Sequence, residues 1–146
     1  MTELQKKKIL WLTRAKLAEQ KLNALSAVRK HDEQLLAELN YFGEDTTVLS
    51  AQLTDTLTQT EAQLHTLLTL REEIRNTILS LPDLQMQTIL LRKYLSYETN
   101  EKIADAMFYD VRTIQRKHKQ ALDQISLPAG TCISETTIFP NISCEN

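Results

Sequence analysis

Apolar positions between residues 3 and about 40 recur with a period near seven. One row is Leu4, Trp11, Ala18, Leu25 and Leu39, broken at Asp32; the row beside it is Ala15, Leu22 and Leu36, broken at Lys8 and Arg29. This spacing predicts a long amphipathic helix, about 55 Å at 1.5 Å per residue. The run from Tyr41 to Asp45 reads as a turn, with Gly43 suited to a left-handed cap. Residues 47 to 80 predict a second helix, with Leu53, Thr60, Leu67 and Ile74 in one row and Leu57, Leu64, Arg71 and Ile78 in the other. The threonine-rich stretch 53 to 60 alternates as a strand would. The heptad nevertheless runs through it to Ile78, so a helix is expected. Each helix carries a single narrow apolar seam, which suits a coiled coil better than a globular core. An antiparallel helical hairpin over 1–80 follows, either closed on itself or paired with a second copy as a homodimer.

The pattern changes at Ser80-Leu81-Pro82-Asp83. Pro82 disfavours helical geometry at Leu81 and is expected to open the next helix in its first turn. A helix over 83–95 would bury some of Met86, Ile89, Leu90, Tyr94 and Leu95. A short helix after Thr99 would bury Ile103, Ala104 and Met107, with a turn at Phe108-Tyr109. A last helix after Asp110 would bury Ile114, Ala121 and Leu122. Its other positions, Arg112, Thr113, Gln115, Arg116, Lys117, His118 and Lys119, are expected on the exposed side. The fold class is therefore all-α: a long coiled-coil-like hairpin, then a three-helix helix-turn-helix module over 81–127. Pro128, Gly130 and a run rich in Ser, Thr and Asn make 128–146 a flexible tail.

Charge sharpens this picture. The chain of 146 residues has a formal net charge of −2, so it is no polycation, and nucleic-acid contact must come from a local patch. Residues 82 to 127 hold seven Lys/Arg against six Asp/Glu, but Val111 to Gln120 hold four Lys/Arg and no acid. That concentration suits a module reading one groove rather than a wrapping binder. Arg and Gln at a helix N-terminus can pair with base edges in the major groove.

The stretch from Leu81-Pro82-Asp83 through Ile89-Leu90, Tyr94-Leu95, Thr99, Glu101, Ile103-Ala104, Met107 and Tyr109, then Arg112 to Leu122, resembles sigma-70 region 4. It is closer still to small sigma-factor-like or late regulators of phages and prophages of Gram-positive bacteria. The resemblance covers about 45 residues in motif detail; the N-terminal hairpin is similar only in general character. It implies a DNA-binding transcriptional regulator whose second motif helix lies in the major groove of double-stranded DNA. It also implies RNA polymerase as a second partner. Carried over, the groove-facing residues are Val111, Arg112, Gln115, Arg116 and Lys119, with Thr113 and His118 near backbone phosphates. Two departures stand out. Phe108 occupies the turn position usually held by Gly, where a positive φ costs roughly 1 kcal/mol more and favours a reshaped turn. Asp110 replaces the usual capping Ser; it caps well but brings a negative charge close to the duplex. No stretch resembles the part of a sigma factor that melts the promoter.

The remaining chemistry is sparse. His31, His65 and His118 lie on separate elements, and Cys132 and Cys144 sit in the tail without neighbouring His, so no metal site is expected. Two glycines cannot build a phosphate loop. The adjacent carboxylates Asp32-Glu33 and Glu72-Glu73 point about 100° apart on a helix and do not converge as a dyad. No enzyme and no cofactor are expected. Apolar runs are too short to span a bilayer or form a signal peptide core, so the expectation is a cytoplasmic protein with no membrane contact. Two other functions remain open. One is a module that binds RNA polymerase or a sigma factor without reading DNA. The other is a small terminase-type phage subunit. Base reading predicts Arg112, Gln115 and Arg116 free of internal salt bridges; protein binding predicts an exposed apolar patch on the 83–95 helix.

Overall fold

The computed structural model describes residues 1–128, which are all-helical. The tail with its two cysteines, apart from Pro128, lies outside the described residues. In order, α1 is Glu3–Phe42, α2 Thr47–Leu79, α3 Leu84–Tyr94, α4 Asn100–Met107 and α5 Val111–Gln124. Among the described residues no helix is long and apolar enough to cross a membrane.

The chain separates into two compact units that cut across α1 and α2. One is Met1–Leu17 with the chain from Thr69 onward; the other is Ala18–Leu68. The ends of the two long helices thus belong with the short helices, and the unit boundaries lie within α1 and α2, away from residue 80.

In the unit Ala18–Leu68, the expected inner positions of α1 are half-buried: Leu22, Leu25, Arg29, Asp32, Leu36 and Leu39. Gly43 takes the expected left-handed conformation at φ 68°, and the Glu44 N–H reaches back to the Leu39 carbonyl at 2.9 Å. On α2 one expected row holds, with Leu53 and Thr60 half-buried and Leu67 buried. The other row is displaced by one residue. Leu57 and Leu64 are 43% and 47% exposed, while Leu49, Thr56 and Gln63 take the inner positions. A seam accepts threonine or glutamine when leucine falls on the flank, so apolar identity alone misplaced the row. The threonine-rich stretch stays helical because its hydroxyls bond carbonyls one turn back: Thr54 to Ser50 at 3.0 Å, Thr58 to Thr54 at 3.1 Å and Thr60 to Thr56 at 2.8 Å.

In the larger unit, Thr2 and Gln5 form a capping box at the start of α1: the Gln5 N–H donates to the Thr2 hydroxyl, and the Thr2 N–H donates to the Gln5 side-chain Oε1, both at 3.1 Å. Leu4 is exposed, and Gln5 and Lys8 take the buried positions instead. Each short helix starts at a polar cap. Asp83 accepts from the Gln85 and Met86 N–H groups, Thr99 from Lys102, and Asp110 from Thr113. Asp83 therefore begins α3, and Pro82 lies one residue before the cap rather than in the first turn. A cap with two backbone bonds fixes the start more firmly than a ring that merely tolerates it. The helices α3, α4 and α5 each pack against the other two. Ile89, Ile103, Ala104 and Ile114 form their core, with Met107, Tyr109 and Val111 against it.

The polar breaks in the heptads have a structural use. Lys8 is buried and donates to the Leu122 carbonyl at 2.7 Å. Arg71 donates to the Leu95 carbonyl and to the Tyr97 hydroxyl, both at 3.0 Å. Each cation thus satisfies a carbonyl at the C-terminal end of a short helix, α5 and α3 respectively, where orphan acceptors and the negative end of the helix dipole favour it.

Candidate nucleic-acid interface

Four of the expected DNA-facing residues form one stripe on α5. Arg112, Gln115, Arg116 and Lys119 are exposed, at the i, i+3, i+4 and i+7 spacing that places side chains on a single face. None of the four makes a salt bridge among the described residues. The opposite face, with Ile114, Ala121 and Leu122, is wholly buried. The stripe is held by packing behind it, and its charges remain open to a partner.

The turn that aims the stripe retains its left-handed residue. Phe108 sits at φ 60° and ψ 39°, and the Ala104 carbonyl accepts from both the Phe108 and Tyr109 N–H groups. No reshaping removes the unfavourable φ, and the Phe108 ring is 94% exposed, so packing of the ring does not offset it. Asp110 then caps α5 by accepting from the Thr113 N–H at 2.8 Å. Hydrogen bonds from Thr113, and after them the charges of Arg112 and Arg116, hold its carboxyl below the usual carboxylate range. The first two turns of α5 therefore present two arginines, with an ionised aspartate at the cap.

The other expected contacts differ. Val111 is half-buried against the core, and the half-buried Thr113 spends its N–H on the cap. His118 is a correction: it is buried, and its Nε2 lies 2.6 Å from the Tyr94 hydroxyl. Burial first, then the charges of Lys93 and Lys119, push its pKa down to about 4. A neutral imidazole facing α3 cannot serve a phosphate. Its spacing carried the signal, since Ile114, His118, Ala121, Leu122 and Ile125 all lie on one buried helical face. Burial also raises the Tyr94 hydroxyl well above its ordinary range.

A flank beside the stripe is also ordered. Gln85 donates to the Tyr109 hydroxyl at 2.8 Å and accepts from Lys117 at 2.9 Å, while Lys117 lies 5.7 Å from the centre of the Tyr109 ring. This ties the start of α3 to the turn and to α5. On either side of the tie, Leu84 is 75% exposed and Phe108 stands clear of the core. Among the described residues, no group of three or more His, Cys, Asp or Glu side chains stands close enough to hold a metal ion.

Comparison of the chain with family models, curated proteins and solved structures yields no match. The functional reading therefore rests on the residues and their geometry.

Proposed function

We propose that this chain is a DNA-binding transcriptional regulator resembling sigma-70 region 4. In this reading α4, the Phe108 turn and α5 act as a helix-turn-helix, α1 and α2 pair as an antiparallel hairpin, and α5 enters the major groove. The observation that carries it is the open stripe Arg112, Gln115, Arg116 and Lys119 on a helix whose other face is buried. Arg112 and Arg116 suit guanine edges, Gln115 suits adenine, and Lys119 one turn on suits a phosphate. Each bidentate pair is worth about 1–3 kcal/mol of base discrimination. The Asp110 carboxylate caps the start of α5 and adds a negative charge near Arg112 and Arg116 that a bound duplex must accommodate.

A second reading is favoured by Leu84 and Phe108. Two large exposed apolar side chains beside the turn suit a protein partner, for which RNA polymerase is the candidate the resemblance implies. Selection of random duplexes by the purified protein, with and without RNA polymerase, separates the two. Enrichment of one sequence by the protein alone supports direct reading. Enrichment only with polymerase moves the interaction reading to first place.

A further inference from the structure

A cleft of about 580 Å³ opens beside α5, a size typical of small-molecule sites. We propose that it binds a small phosphate-bearing ligand of mononucleotide size.

Three lysines from three different helices line it: Lys16 of α1, Lys93 of α3 and Lys119 of α5. Lys93 is half-buried, and burial lowers its proton affinity; the charge of Glu101 acts against this, and the smaller effect of the Lys16 charge adds to it. Lys16 and Lys119 are exposed and Lys93 is half-buried, so an anion seated in the cleft gains the attraction of all three charges. The lining holds one carboxylate among the described residues, Glu98, and it is already paired with Arg92 at 3.1 Å. His118 at the cleft wall is neutral near pH 7, so it adds no charge of either sign.

The start of α4 contributes a second anion-seeking feature. Thr99 and Asn100 line the cleft. The Thr99 hydroxyl accepts from Lys102 and its carbonyl accepts from Ile103, so the N–H groups of Asn100 and Glu101, earlier in the same turn, have no acceptor within the helix. A helix start with free N–H groups favours phosphate oxygens. The Asn100 side chain already accepts from Lys93 at 2.8 Å, which holds that ammonium at the helix end. A phosphate monoester carries close to two negative charges at neutral pH and offers three acceptor oxygens. It answers both features at once.

The rest of the lining is shaped for a larger body than phosphate alone. Ile9 and the rings of Tyr94 and Tyr97 supply apolar and aromatic surface, and Gln115 supplies an amide at the rim. A flat heteroaromatic base suits that mixture. A duplex is too broad to enter the cleft, so the occupant is a small molecule.

The test is calorimetric titration and thermal melting of the full chain without DNA, so its outcome is independent of the proposed function. The probes are a nucleoside monophosphate, its parent nucleoside and pyrophosphate, at matched ionic strength. The monophosphate should bind saturably and raise the melting temperature. The nucleoside should bind at least about tenfold more weakly, the effect of losing charge-assisted bonds. Lys16→Gln, Lys93→Gln and Lys119→Gln should each weaken the monophosphate by about tenfold, and Arg75→Gln, at an exposed position of α2 outside the lining, should not. Lys16 and Lys119 are exposed, so their substitution leaves the fold intact. Absence of saturable binding, or equal binding by wild type and the lysine variants, overturns the site. Pyrophosphate binding as tightly as the nucleotide overturns the assignment of a base to the apolar wall.

Discussion

The two compact units each include part of α1 and α2, yet they bury their apolar side chains differently. In the unit of Met1–Leu17 and the chain from Thr69, Trp11, Leu12, Ile74, Ile78, Ile89, Leu90, Ile103, Ile114, Leu122 and Ile125 are wholly buried. In Ala18–Leu68 the buried apolar side chains are Ala18, Leu49 and Leu67, while Val28, Leu35, Leu57, Leu64 and Leu68 are exposed. Burial of a large aliphatic side chain contributes roughly 1.5–3 kcal/mol. The first unit therefore has a large apolar core behind α5, whereas the second buries few large apolar side chains. The open cationic stripe lies on the unit with the larger buried core.

The largest expected effect sharpens that contrast. Ile114→Ala should cost about 2–5 kcal/mol, since it empties a wholly buried site. Leu36→Ala, at a half-buried site, should cost about 1 kcal/mol. Urea unfolding followed by circular dichroism measures both, and equal costs would break the comparison. The next effect is pH-dependent. The folded pKa of His118, about 4, lies below its ordinary 6.5. The unfolded chain therefore takes the proton first. The contribution is complete above about pH 6.5 and is lost as pH falls toward 4, on the order of 3 kcal/mol in full. Urea midpoints between pH 7 and pH 4 should fall more steeply for wild type than for His118→Gln; parallel curves would mean that the imidazole is not held neutral. Lys8→Met should cost about 2 kcal/mol, because the buried Leu122 carbonyl loses its charged donor. Phe108→Gly should stabilise by roughly 1 kcal/mol, since glycine takes the left-handed conformation without strain. If Phe108 serves a partner, the same variant gains stability and loses polymerase binding, which a pull-down with purified polymerase reads.

Much of this architecture was legible in residue spacing. The helix boundaries, the Gly43 cap, the Asp110 cap and the buried side of α5 at Ile114, Ala121 and Leu122 follow from local periodicity and capping chemistry, which act over a few residues. What was not legible depends on contacts distant in sequence. Lys8 and Arg71 look like defects in a seam until the carbonyls of Leu122 and Leu95 are brought to them. The same holds for the lysines of the cleft, which are unremarkable along the chain and converge only when α1, α3 and α5 are assembled. His118 was misread for a different reason. Among basic neighbours its charge type outweighed its position, although its spacing from Ile114 and Ala121 marks the inner face. The displaced row on α2 shows the converse error, in which apolar identity outweighed geometry at Leu57 and Leu64. For the candidate site, spacing gave the exposed side of α5 and the resemblance the groove-facing residues, but neither showed that the core would claim Val111 and His118.

The central claim is that the stripe on α5 reads DNA, and a titration of labelled duplexes at several salt concentrations tests it most directly. Wild type should prefer a selected sequence over random duplex, with log affinity falling against log salt at a slope of about −3 to −4 if three or four phosphates are neutralised. Lys119→Ala should weaken all sequences equally and reduce that slope by about one. Arg112→Ala/Arg116→Ala should lose about 1–3 kcal/mol per arginine on the selected sequence and little on random duplex. If wild type and the double variant bind selected and random duplexes alike, α5 is not a sequence reader and the claim is contradicted.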